Sequence, residues 1–205
     1  MINATTIDRV KALLDISSTN YDAVLTTMVA AASRRIESYI DRPLEQTART
    51  QEYPIKPRQD VIFLRAYPVT AISSIKLALD WDFASATDFD AKDWTYDAET
   101  GMIHLSFFPI LNYNGNNQAA APNVIQVAYT GGFATSTANL ITDYPDIAYA
   151  ADIQAVAMWR RRDSPQGQSV SVGGGSIGYE GALRMIPDAI EALTPYRRLR
   201  FAANG

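Results

Sequence analysis

The chain contains no cysteine and a single histidine, His104. Without cysteine there is no thiol nucleophile, thiolate zinc site, iron–sulfur cluster or disulfide. One histidine excludes zinc motifs that need a histidine pair, such as HExxH. Charge is also scarce: 20% of the 205 residues are Asp, Glu, Lys or Arg, against about 25% in a typical soluble domain. That shortage predicts surface that is covered in an assembly. No apolar run approaches the ~18–20 residues of a membrane span, and Met1–Thr6 lacks a basic-then-apolar signal segment. The expectation is a soluble, non-secreted chain with no membrane association.

The charge that is present is segregated. Residues 158–205 hold seven Arg against four acids, whereas residues 80–99 hold seven acids against Lys92 alone. An acidic body with a basic tail is not the continuous basic face of a nucleic-acid clamp.

Hydrophobic spacing predicts helices over about 5–14, 21–40 and 145–162. In the first, Thr5 is the expected N-cap, with Asp8 completing Thr-x-x-Asp, and Ile7, Val10, Leu13 and Leu14 share a face. The second carries Tyr21, Leu25, Met28, Val29, Ala32, Ile36, Tyr39 and Ile40 at helical spacing and stops at Asp41-Arg42-Pro43. The third opens at Pro145, is rich in alanine, and ends in Arg160-Arg161-Arg162, which complements the helix dipole. Between about 47 and 130 the period falls to two. Short strands are expected at Val61–Leu64, in the seventies (Ala71, Ile75, Leu77 and Leu79 on one face, Ile72, Ser74 and Lys76 on the other), at Met102–Phe108 and at Val124–Tyr129. The fold class is therefore α+β: a helical bundle with an inserted, mainly antiparallel β subdomain. In domain terms, residues 1–163 form a body with its β-rich insert, and residues 164–205 form a flexible linker and an extended C-terminal arm with a short helix.

Residues 164–181 contain six of the 11 glycines and four serines, the composition of a tether. Gly173–Gly178 matches GxGxxG, and Gly174–Gly178 matches GxSxG. Neither has its required setting: no strand-to-helix context surrounds the first, and no histidine follows the second. Asp88, Asp90 and Glu99 fall at positions 1, 3 and 12 of a calcium loop, but Lys92 and Asp93 occupy positions that need an oxygen ligand and a glycine. The acids are read instead as a solvated loop anchored by Trp81, Phe83, Phe89 and Trp94. His104 is read as a structural or surface residue. No catalytic pair, cofactor site or metal site emerges. Arg197, Arg198 and Arg200 beside Tyr196 and Phe201 form a cluster of the kind enriched in protein interfaces.

Five blocks, in order, resemble the head–tail connector (adaptor) proteins of tailed bacteriophages. They are IDRVKALLDI (7–16) with AAASRRIESYIDRPL (30–44), LRAYPVTAISSI (64–75), VAYTGGF (127–133), PDIAYAADIQAVAMWRRRD (145–163), and IPDAIEALTPYRRLRF (186–201). The resemblance is to the longer members, with a β-rich insert. It implies a structural virion protein and not an enzyme, with no cofactor. Such a protein forms a ring, expected to hold twelve copies, under the portal. The ring extends the DNA channel and joins the capsid to a downstream stopper or tail component. Implied partners are the portal protein, other copies of the chain, that downstream component, and packaged DNA passing through without sequence-specific binding. The implied place is the virion neck, after assembly in the host cytoplasm. Carried onto this sequence, the portal- or neighbour-binding residues are Ile186, Ile190, Leu193, Pro195, Tyr196, Arg197 and Arg198. Asp80, Asp82, Asp88, Asp90 and Asp93 are candidates for a channel-facing acidic loop, since phosphates are repelled by such a wall. Two other readings stay open: a DNA-binding or regulatory module using the C-terminal arginines, and an enzyme with a Gly-rich site at 173–178.

Overall fold

The computed structural model describes residues 2–55, 59–78, 81, 83, 86–106, 123–162, 170–172, 175–177 and 185–198. The chain divides into two compact units, a helical one (residues 1–44 and 134–205) and a sheet one (residues 45–133). The fold is α+β, as the two sequence periods require.

In the helical unit, α1 (Ile7–Leu14) starts at Thr6, whose side-chain oxygen accepts the Arg9 amide. The expected cap was Thr5, one residue earlier. Thr5 is buried, and its hydroxyl donates to Asp152 instead. Val10 is buried while Leu13 is 54% exposed, so the buried face of α1 is narrower than the apolar pattern suggested. The helix α2 (Asp22–Ile40) buries Leu25, Val29, Ala32, Ser33, Ile36 and Ile40. It ends where the sequence placed its end, with Asp41 in the left-handed region at φ 56°. Two further helices follow the sheet unit: α3 (Thr137–Asp143), capped by Ser136, and α4 (Pro145–Arg161), opened by its proline. The alanines of α4 do what small residues allow, bringing helices close. Ala148, Ala150, Ala151 and Ala155 are all fully buried, and Ala155 and Trp159 pack in one core with Val10, Leu25, Val29 and Ala32.

The sheet unit holds a four-stranded sheet and a three-stranded sheet, both antiparallel throughout. The first comprises β1 (Thr47–Ile55), β3 (Val69–Ala78), β4 (Thr87–Asp88) and β7 (Asn123–Gly131), in the order β1-β7-β3-β4. The second comprises β2 (Val61–Phe63), β5 (Trp94–Asp97) and β6 (Met102–Leu105), in the order β2-β6-β5. Their shared core includes Ile62, Leu64, Ile75, Leu77, Ile103, Leu105, Ile125, Val127 and Tyr129.

The alternation expected in β3 fails at Ala71, which is exposed, and at Ile72, which packs against the core with Ile75. The cause is two register shifts against β7, between Val69 and Ala71 and between Ile72 and Ser74. Each extra residue turns the following side chains to the other face.

Gly131-Gly132, in the block VAYTGGF, is required by close backbone approach. A Cβ on Gly131 would lie 2.3 Å from the Ala66 carbonyl oxygen, and one on Gly132 would lie 2.3 Å from that of Glu45. Gly132 also adopts φ +131°, a conformation closed to most L residues.

After α4 the described chain resumes as a two-stranded hairpin, β8 (Val170–Val172) with β9 (Gly175–Ile177). It resumes again at residue 185, leading into α5 (Pro187–Leu193) and a 3₁₀ turn at Thr194–Tyr196. Among the described residues, no helix is long and apolar enough to cross a membrane.

Candidate functional site

The seven residues singled out near the C-terminus are brought together in the helical unit, against α2 and α4. The entry to α5 is fixed by Gln154, a buried side chain on α4, whose Oε1 accepts the Ile186 amide at 3.0 Å. Ala189 and Leu193 are then fully buried, while Ile190 stays 36% exposed. After the 3₁₀ turn, the Tyr196 carbonyl accepts from Arg42 Nη1 at 3.1 Å. The Arg198 amide donates to the Ile40 carbonyl at 2.8 Å, satisfying one of the last acceptors of α2.

Aromatic groups complete the dock. The Tyr196 ring meets Tyr144 edge-on at 6.2 Å, and its hydroxyl donates to Asp146 Oδ2 at 3.3 Å. Burial, and then the negative charge of Asp146, push the Tyr196 phenol above its ordinary pKa. The Arg197 guanidinium lies over the Tyr39 ring, 5.5 Å from its centroid. Pro195 and Arg197 are exposed, and Ile186 and Arg198 are half-buried. The segment therefore has two aspects: Ala189 and Leu193 face the unit, and Ile190, Pro195 and Arg197 face outward.

The sequence pattern flagged the segment but not its receptor. In the sequence, Tyr39 reads as a face residue of the second helix and Arg42 as part of its stop, and nothing marks Asp146 or Gln154 as partners of the segment. One signal is present in the sequence: Gln154 is a polar residue at a position the α4 pattern buries, and buried polar groups need specific partners. Asp152 is a second such residue. Its carboxylate accepts from Arg9 Nε at 3.0 Å and Arg9 Nη2 at 2.6 Å, and from the Thr5 hydroxyl, which ties α1 to α4.

Of the arginines closing α4, Arg162 is engaged within the chain. Its guanidinium stacks 3.4 Å from the Trp159 ring centroid, and Trp159 meets Tyr21 edge-on at 5.1 Å. Arg200 and Phe201 lie outside the described residues, as do Gly173, Gly174 and Gly178 of the glycine-rich match.

In the sheet unit, Asp88 and Asp90 are exposed and Asp93 is half-buried, while Asp80 and Asp82 lie outside the described residues. Asp88 sits 3.8 Å from Lys76 Nζ, and Asp90 sits 3.3 Å from Lys92 Nζ. Both are solvent-exposed pairs of small energetic value. Phe89 and Trp94 anchor this stretch against the core. Trp81, expected to do the same, is 54% exposed. Asp97 closes the following turn. Its carboxylate accepts the Thr100 hydroxyl at 2.8 Å and the Glu99 amide at 2.9 Å. These bonds, that of Thr100 first, hold its carboxyl below the usual aspartate value. Among the described residues no three His, Asp or Glu side chains converge as a metal site.

Three solved chains share this fold. One comes from the neck of an empty gene transfer agent particle computed with C6 symmetry, with TM-score 0.61 and 17% identity, covering 98% of this chain and 93% of that one. A second comes from the virion of a native gene transfer agent particle, with TM-score 0.60 and 16% identity over the same shares. A third, from the neck of a native particle computed with C12 symmetry, gives TM-score 0.53 and 18% identity over 89% and 86%. Among curated proteins, none matches the chain by sequence. A family model described as head completion protein matches residues 3–199. That span takes in the first four blocks whole, the fifth as far as residue 199, and the docked segment, and the chain belongs to the head completion protein family.

Proposed function

We propose that the chain is a structural head–tail connector of the virion neck. Copies of it assemble as a ring of twelve beneath the portal, extend the DNA channel, and offer a platform to a downstream stopper or tail component. The observation that carries this reading is the family match over residues 3–199. The fold shared with neck chains of gene transfer agent particles supports it. No catalytic role is assigned.

In this reading the C-terminal segment makes the contact to the portal or to a neighbouring copy through Ile190, Pro195 and Arg197, flanked by Ile186, Tyr196 and Arg198, while Leu193, fully buried, anchors the segment and does not reach a partner. The outward aspect of the docked segment supports that role. Ile190, Pro195 and Arg197 offer an apolar and cationic surface without any rearrangement, and multiplying a modest contact around a ring gives avidity. The acidic stretch with Asp88, Asp90 and Asp93, extended in sequence by Asp80 and Asp82, serves as a wall past which DNA slides, because like charge prevents sticking.

The test uses residues on the exposed side of the segment, and the circular dichroism spectrum reports whether the fold survives the loss of the Arg197–Tyr39 contact. Ile190→Asp combined with Arg197→Glu should leave the circular dichroism spectrum unchanged yet abolish co-sedimentation with portal rings and the formation of infectious particles. A variant that still binds portal and completes particles would overturn the assignment.

A further inference from the structure

The four-stranded sheet leaves one long edge open. The Phe89 amide donates to the Ile75 carbonyl at 2.9 Å, so the backbone of Ile75 faces β4. Backbone groups alternate sides along a strand. Ser74, Lys76 and Ala78 therefore face β7, at Ala128, Gln126 and Val124. Ile125, Val127 and Tyr129 of β7 then face β1, at Tyr53, Gln51 and Arg49. The remaining residues of β1, namely Ala48, Thr50 and Glu52, direct their N–H and C=O groups outward, and Pro54 has no N–H to offer. Proline at such a position is what an edge strand tolerates. Among the described residues, no strand pairs with this edge.

The hairpin of β8 and β9 presents the complementary shortage. Its register sets Val170 opposite Ile177, Ser171 opposite Ser176 and Val172 opposite Gly175. Among the described residues it pairs with no other strand. A lone two-stranded hairpin is at best marginally stable in water, and a third strand is the usual remedy. The open edge from Ala48 to Glu52 spans about 13 Å at ~3.3 Å per residue, longer than either three-residue strand.

We propose that the hairpin at Val170–Ile177 of one copy adds to the β1 edge of a second copy, extending its four-stranded sheet by β-augmentation. The occupant is a second copy because the chain holds both elements and, among the described residues, neither pairs with a further strand. Each copy gives a hairpin and receives one. That is a head-to-tail contact, the kind that closes into a ring, with backbone hydrogen bonds supplying the contact. The inference rests on the ring reading and specifies its subunit contact.

The absence of cysteine makes the test clean. The full-length chain is followed by sedimentation velocity over a concentration series, in three forms: wild type, Thr50→Pro, and a chain with residues 170–177 replaced by eight Gly and Ser residues. Thr50→Pro removes an outward N–H that the ladder with β7 does not use, and the hairpin replacement leaves β1 untouched should proline disturb it. Wild type should self-associate, and each variant should do so at least tenfold more weakly. A mixture of Thr50→Cys copies and Ser171→Cys copies should be joined by a short bis-maleimide far faster than a mixture of Ser73→Cys and Ser171→Cys copies. Wild-type oligomers that neither variant weakens, with no preferential cross-link, would overturn the hairpin contact and leave the ring reading standing. Wild type that stays monomeric both in solution and on portal rings would overturn both.

Discussion

The Arg9 guanidinium lies 2.6 Å from Asp152 Oδ2, and the two side chains are unequally exposed, 42% for Arg9 and 3% for Asp152. The inequality decides which partner can be lost. Arg9→Ala strands a buried carboxylate with only the Thr5 hydroxyl, at a cost of about 3 kcal/mol. Asp152→Ala frees an arginine that reaches solvent and should cost less. The double variant Arg9→Ala/Asp152→Ala should be more stable than Arg9→Ala alone. Urea unfolding of the four chains, read as a double-mutant cycle, checks the order.

The glycine pair closing β7 should tolerate no side chain. Gly131→Ala drives a methyl group into the Ala66 carbonyl, and Gly132→Ala adds an unfavourable φ to a clash with the Glu45 carbonyl. Each should cost about 1–3 kcal/mol, as overpacking against fixed backbone does. Thermal unfolding followed by far-ultraviolet circular dichroism would show the loss. Unchanged midpoints would show that the loop at Ala66 yields.

Tyr196 gives the dock of the C-terminal segment an alkaline limit. Its phenol titrates above the ordinary value because burial and Asp146 disfavour the phenolate. A raised folded pKa stabilises the docked state below the ordinary tyrosine value of about 10 and loses that stabilisation as pH rises through the folded value. A titration of tyrosinate absorbance should show a late step that Tyr196→Phe removes. The same substitution should cost under about 1 kcal/mol, since the hydrogen bond lost is long and exposed.

Asp97 sets an acid limit in the sheet unit. Its folded pKa is lowered by the bonds from Thr100 and Glu99. The stabilisation is present above the ordinary carboxyl value near 4 and disappears as pH falls through the lower folded one. Asp97→Asn should flatten the stability profile between those two values, while a Thr100→Val chain should steepen no part of it. Thermal midpoints measured from pH 2 to 6 would decide.

Helices α1, α2 and α4 were legible because apolar residues recur at helical spacing over more than two turns. The helix α3 was not: it is seven residues long and buries only Leu140, too little periodicity to register. The cap of α1 slipped by one because Thr5 and Thr6 are equivalent as a sequence, and the choice between them is made by Asp152, distant along the chain. The face of β3 was misread because bulges insert residues that no local pattern announces. At the candidate site, the segment itself was legible through the odd pairing of arginines with aromatic and aliphatic residues. Its receptor was not, since Tyr39, Arg42, Asp146 and Gln154 converge only when two helices pack.

The sheet unit enters after Leu44 and leaves before Ala134, and the Ala134 amide donates to the Leu44 carbonyl at 3.0 Å. Where it departs from the helical unit, the chain has thus returned to within one hydrogen bond of itself. A short turn could bridge those two residues, and residues 45–133 are in that sense a cassette. A single in-frame deletion or exchange could remove or replace it while the helices keep their own core.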